Sequence, residues 1–261
     1  MKNGYLLYCL AILVSVSACN KDKDDGEDYG KVENFYRNVS VIEVEVAYEP
    51  DADPYTTLSN GDNIWKFTET NIEALFSGRA INVDVTVPPN LAAMQLIPDQ
   101  GRDNYSAQDI LNLAIRFRKG ENAANLGNLW VVFLDGYFKD SDSLRTNVLG
   151  VNITGTSVTA VFKPVITNYG GLLATQRKYV EQTTIVHELG HALGLVNSGA
   201  PLTSQHQDTD HGAHCINPDC VMFWQNEGAG NLSDFVGQNG MSQFSVVFGS
   251  ECLLDTRSYV P

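Results

Sequence analysis

The chain has 261 residues, enough for one large domain or two small ones with a buried core. Hydrophobic residues make up 43% and charged residues 18%, a balance that excludes disorder, coiled coils and collagen. With 17 Lys and Arg against 31 Asp and Glu, the net charge of -14 repels phosphate backbones and argues against nucleic acid as a partner.

Residues 1–18 carry Lys2 and then an apolar run, 5–16, too short to span a bilayer and ending in small residues, which reads as a secretory signal peptide. The sequence Val16-Ser17-Ala18-Cys19 resembles the lipobox of bacterial lipoproteins. That resemblance implies cleavage before Cys19 and lipidation of Cys19 as the mature N-terminus; ordinary secretory cleavage is the alternative. Residues 20–28 are polar and charged with no apolar side chain, so 19–34 is expected to be the lipidated cysteine and a flexible acidic tether. The acidic run is similar to the tag that directs some lipoproteins to the outer leaflet of the outer membrane. The expected location is the cell envelope, with outer-membrane anchoring and surface display, and membrane contact only through the lipid.

Strand and helix signals then alternate. In 39–48, Val41, Glu43 and Glu45 interleave with Ile42, Val44 and Val46, a period of two that predicts a strand. A helix is predicted over 63–76 and a strand over 80–87, halted by Pro88 and Pro89. Ser106 offers an N-cap for a helix to Arg118, with Ile110, Leu111, Leu113, Ala114 and Phe117 on one stripe and Gly120 as the stop. The apolar run 129–134 reads as a strand covered on both faces, and 148–153 with 157–162 as a hairpin. A long helix is predicted over 176–194. The order favours an α/β (α+β) fold with a three-layer mixed sheet, a larger subdomain over 35–196, and a smaller loop-rich subdomain over 197–261 with short helices near 232–236 and 251–258.

All five histidines fall between 187 and 214, beside that boundary, which marks a metal-binding tract in a cleft. His187-Glu188-Leu189-Gly190-His191 is an H-E-x-x-H motif inside the long helix. Four-residue spacing brings both imidazoles to one helix face, and Glu188 projects near the water on a shared ion. Neutral imidazoles suit Zn2+, which polarises a scissile carbonyl, while Glu188 serves as general base. Gly194 lets the helix end abruptly.

The pattern H-E-x-x-H-x-x-G resembles the metzincin clan of zinc peptidases, in which the third ligand follows the glycine by three residues. Asn197 stands at that position, and an uncharged amide is a poor zinc ligand. Further on, His214-Cys215-Ile216-Asn217-Pro218-Asp219-Cys220-Val221-Met222 is similar to the archaemetzincin segment that runs from the third zinc-binding histidine to the methionine of the Met-turn. The resemblance implies His214 as the third ligand, displaced by a loop over 197–213, and Met222 as the Met-turn residue. His211 and His206 are the rivals for the ligand position, and Asp208 and Asp210 are candidate partners or a separate cation site. The family's C-x-x-C pair for a second, structural zinc is absent, so one zinc is expected, with a disulfide between Cys215 and Cys220. By count alone, Cys215, Cys220 and Cys252 allow at most one bridge, and its pairing is open. Phe223 and Trp224 are candidates for a substrate pocket or for core.

A gluzincin, with a later glutamate as third ligand, fits less well, because Glu227 lies beside Gly228-Ala229-Gly230 and Glu251 follows no convincing helix. The leading expectation is a monomeric, envelope-anchored zinc endopeptidase acting on peptide or protein substrates. The alternative is a non-catalytic glycan- or protein-binding lipoprotein on a degenerate peptidase scaffold.

Overall fold

The structure, a computed structural model, describes residues 31–141, 143–168 and 173–261. The signal peptide, Cys19 and the acidic run 20–28 lie outside the described residues. In chain order the described elements are helix α1 (Val32–Arg37), strand β1 (Val41–Tyr48), α2 (Lys66–Phe76), β2 (Asp84–Thr86), β3 (Gln95–Leu96), β4 (Asn104–Tyr105), α3 (Ala107–Phe117) and β5 (Leu126–Leu134). There follow β6 (Tyr137–Asp140), β7 (Ser143–Arg145), β8 (Gly150–Asn152), β9 (Val158–Phe162), α4 (Lys163–Asn168), α5 (Ala174–Ala192), β10 (Gln207–Asp208), β11 (His214–Cys215), α6 (Ala229–Asn239) and α7 (Ser250–Ser258).

The fold is mixed α/β, centred on a mixed sheet in the order β2-β1-β5-β9-β8, with β3 pairing with the far end of β1. β1 buries Ile42, Val44 and Val46 and exposes Glu43, as its period of two requires. β1 and β5 run parallel from Val41 opposite Leu126 to Tyr48 opposite Phe133. β5 is buried from Gly127 to Leu134, so both faces of the sheet are covered there. β9 continues the parallel order, and β8 folds back antiparallel to form the edge beside the site. This is the expected hairpin.

The strand anticipated over 80–87 is shorter, Asp84–Thr86. Its first partner is Val41, where β1 begins, so residues before Asp84 have no neighbouring strand to pair with, and Ile81 is exposed. A small sheet in the order β4-β6-β7 went unanticipated, because β6 and β7 are largely polar and lack a buried face. Phe138 ties it to the core by packing on Phe162, with ring centroids 5.9 Å apart. The helix on Ser106 has the expected cap: the Ser106 hydroxyl accepts from the Asp109 N–H, and the Asp109 carboxylate accepts from the Ser106 N–H.

α5 is buried all round from Tyr179 to Gly190, as a helix must be that lies between the sheet and the C-terminal segments. β8 approaches it closely at Gly150. A Cβ there would stand 2.7 Å from Thr184 Cγ2 and 3.1 Å from Glu188 Cγ. The chain is already helical at Val32, within the span expected to be tether, and Tyr36 donates its hydroxyl proton to the Leu193 carbonyl at the end of α5. Beyond α5 the chain is mostly loop, with the two-stranded β10-β11 sheet, α6 and α7.

Candidate metal centre

α5 places His187 and His191 one turn apart, with Nε2 atoms 3.2 Å from each other. The helix ends at Gly194, whose φ of +83° suits a residue without a Cβ. The Gly194 N–H reaches the His191 carbonyl, and the Leu195 N–H reaches that of Gly190. The chain after this turn passes Asn197, also at positive φ, whose side chain reaches Gln207 rather than the histidines. β10 then pairs with β11, setting Asp208 opposite His214 and carrying His214 back to α5. The His214 ring centroid lies 5.4 Å from that of His187 and 5.0 Å from that of His191.

His187, His191, His214 and Glu227 form one group whose ligand atoms all lie within 4.8 Å of one another. Glu227 sits on a single 3-10 turn, Trp224–Glu227, pinned by the Asn226 amide, which donates to the carbonyls of Cys220 and Val221. Among the later glutamates of the sequence, Glu227 is disfavoured as a ligand by the glycines that follow it; the folded turn nonetheless brings it into the group.

The hydrogen bonds behind the rings determine which nitrogens face the centre. His187 Nδ1 is 2.7 Å from the Val221 carbonyl and His214 Nδ1 is 2.6 Å from the His211 carbonyl. A carbonyl can only accept, so both Nδ1 atoms carry the proton and both Nε2 atoms turn lone pairs inward. His214 Nε2 is buried with no hydrogen-bond partner, although Glu227 Oε1 lies 3.0 Å away. Two acceptors so close require a proton or a cation near both, and this donor set fits a metal ion.

Electrostatics agree. Burial, reinforced by the charge of His214, pulls the His187 pKa down to about 4, and burial also holds His191 well below its ordinary value, so both imidazoles are neutral near pH 7. At His214 burial works the other way from Glu227 and the His211 carbonyl, which together raise its pKa. Glu188 is buried beside the group, and its pKa is pushed up to about 8, mainly by desolvation and further by Glu227. Its Oε2 accepts a 2.7 Å hydrogen bond from the Asn152 N–H of β8. Glu188, His191, His214 and Glu227 line a cleft of about 510 Å³, with Gly150 and Asn152 along β8 and Phe138, Asp140 and Arg145 of the β6-β7 hairpin as a further wall.

Met222 is fully buried and presses on α5 where Gly190 leaves room: a Cβ on Gly190 would meet Met222 Sδ at 2.5 Å. His211 points away, paired with Asp208 at 2.8 Å and stacked on Trp224 at 3.8 Å between ring centroids. Trp224 and Phe223 are half-buried and do not line the cleft. His206 belongs to a second buried group, with Cys215 and Cys252, that could also hold a metal ion. Among the described residues there are thus two metal-capable groups, where the sequence indicated one. The expected disulfide is also absent: Cys215, Cys220 and Cys252 are free, and Cys220 Sγ lies 3.6 Å from Cys252 Sγ, beyond bonding distance.

Neither a protein-family model nor a curated protein sequence matches the chain. The likeness to metzincins stays a resemblance of motif residues, beside which the geometry gives a group near α5 that could hold a metal ion.

Proposed function

We propose that the protein is a zinc-dependent endopeptidase of metzincin type, with His187, His191 and His214 holding the ion and Glu188 as general base. The observation that carries this reading is the convergence of imidazole Nε2 atoms, two of them fixed as acceptors by backbone carbonyls, beside a buried carboxylate in an open cleft. When bound, zinc polarises a peptide carbonyl and lowers the pKa of its water. Glu188 Oε2 is steadied by Asn152, which leaves Oε1 to take up a proton and return it to the leaving amine.

The edge strand supports a peptide as substrate. Leu149 and Ile153 bond to β9, so the intervening Gly150 turns its backbone groups outward along the cleft, while the Asn152 N–H is taken by Glu188. An extended peptide can lie antiparallel against that edge. Met222 and Gly194 have supporting roles in this reading, as the residue under the ligand helix and as the turn that ends it.

One observation favours the second reading, a binding lipoprotein with a structural ion. Glu227 offers a fourth protein ligand, and a closed four-ligand set has no position for water. Hydrolysis of an unfolded protein substrate, with metal content measured alongside, separates the two. For the peptidase, Glu188→Gln retains the metal and loses about 10²- to 10⁴-fold in turnover. Equal inactivity of wild type and Glu188→Gln, both loaded with zinc, would establish the binding protein instead. We further propose that the chain is a monomer anchored to the cell envelope through lipid on Cys19; Cys19→Ser would release it from membranes if so.

A further inference from the structure

We propose that strand β8 clamps the general base, with Gly150 and Asn152 as positioning residues that hold Glu188 in one orientation. The inference deepens the peptidase reading and rests on it for what Glu188 does, while the clamp itself rests on packing and a hydrogen bond.

Thr184 and Glu188 stand one turn apart on the face of α5 that meets β8. Gly150 lies over both, and the space they use is its missing Cβ, which would stand 2.7 Å from Thr184 Cγ2 and 3.1 Å from Glu188 Cγ. With its Cγ seated on this glycine, the Glu188 side chain reaches along the strand, and its Oε2 accepts from the Asn152 N–H at 2.7 Å. A glutamate side chain samples many rotamers unless it is held. Here both its stem and its carboxylate are held, by residues two apart on one strand.

The donor is free for this task because β8 is an edge. Leu149 and Ile153 bond to β9 and Val151 stands opposite Ala160, so the Asn152 N–H points away from the sheet. The Asn152 side-chain amide turns the other way and donates to the carbonyls of Thr156 and Val158, at 3.2 and 3.0 Å. The Thr156 hydroxyl closes the same turn, donating to the Ile153 carbonyl and accepting from the Val158 N–H. The turn thus fixes the end of the strand from which the clamping N–H projects.

An outward N–H on an edge beside a cleft can serve an extended peptide. In this chain the Glu188 carboxylate has it, and Asn152 should therefore act on the chemical step rather than on substrate affinity. Misplacing a reacting group by about 1 Å can cost about 10²-fold in rate.

The test uses the full chain in detergent, loaded with zinc, on an unfolded protein substrate. Asn152→Pro removes the N–H, at an outward edge position where no ladder bond is lost, and Asn152→Ala keeps it; both lose the amide. The proline variant should show a kcat about 10- to 100-fold below that of the alanine variant, at equal KM and equal zinc content. Gly150→Ala/Thr184→Ser keeps the Thr184 hydroxyl bond to the Val180 carbonyl but presses a new Cβ on Glu188 Cγ. It should lower kcat in the same way, and it decides the matter if the proline variant does not fold. A further readout needs neither metal nor turnover. In urea titrations of metal-free protein, Asn152→Pro should have a lower midpoint than Asn152→Ala, and the difference should vanish in the Glu188→Met background. A rise in KM at unchanged kcat would give the N–H to the substrate and overturn the proposal, as would a midpoint difference that persists without Glu188. If zinc-loaded wild type hydrolyses nothing, the peptidase reading fails, and the urea cycle alone decides the clamp.

Discussion

Glu227 faces His214 across 3.0 Å and lies within reach of every ligand atom in the first group, so it is the residue on which open or closed coordination turns. Glu227→Gln removes the negative charge and weakens the fourth donor, and peptidase turnover should rise roughly tenfold, about 1.4 kcal/mol in barrier. A fall in steady-state turnover at unchanged zinc content would assign Glu227 to the catalytic machinery. Gly190 makes a second test at this scale. Alanine is the better helix former by about 1 kcal/mol, yet its Cβ would meet Met222 Sδ at 2.5 Å and Leu195 Cδ1 at 3.2 Å. Overpacking of this kind costs roughly 1–3 kcal/mol, so Gly190→Ala should be no more stable than wild type in denaturant titrations and should bind the first metal more weakly. Of these residues, His187, Glu188 and His191 are readable from spacing alone. Glu227 is not, since the turn that carries it, held by Asn226 to the Cys220 and Val221 carbonyls, meets the helix ligands only in the folded chain.

At the scale of elements, α5 owes its place to more than its motif. Glu181 is completely buried and pairs with Lys163 of α4 at 2.5 Å, while its other oxygen accepts from the Tyr55 N–H. Burial raises the Glu181 pKa against the opposing pull of Lys163. The folded state therefore holds this proton more tightly than the unfolded chain, and the group's contribution is full at low pH and lost as pH rises through the raised folded value. Lys163→Met removes the opposing charge and should cost roughly 3–5 kcal/mol, with a larger loss at about pH 8 than at about pH 5. Urea midpoints at the two pH values check both magnitude and sign. α3 offers a simpler case: Ser106→Ala deletes the reciprocal cap with Asp109 and should cost about 1 kcal/mol without affecting metal content. α3 was readable because cap, stripe and stop are all local. The sheet of β4, β6 and β7 was not, because its polar residues acquire partners only when the strands meet.

At the scale of the whole molecule, the segments after α5 contribute few long regular elements, and their order depends on what they are attached to. α1 supplies one attachment: Val32 fills the space that a Cβ on Gly194 would occupy, and Tyr36 bonds to Leu193. A chain begun after residue 38 should therefore melt at lower temperature than one begun at residue 31, by calorimetry. An ion held by the proposed His187, His191 and His214 site would supply another: bound only by the folded state, it stabilises by mass action, so exhaustive chelation should lower the melting temperature and added zinc should restore it.

What the amino-acid sequence determined by itself is whatever depends on neighbours within a turn or two. That covers the alternation of β1, the capped stripe of α3, the apolar run of β5, and two imidazoles with a carboxylate between them on α5. These follow from fixed rises and rotations along a helix or strand, which bring near residues together however the rest folds. Tertiary structure alone decided that His214 completes the first group while His211 stacks on Trp224, that Glu227 joins it, and that His206 meets cysteines 9 and 46 positions away. Such meetings depend on where loops return, and a loop's path is set by the core and hydrogen bonds it packs against, not by its own spacing.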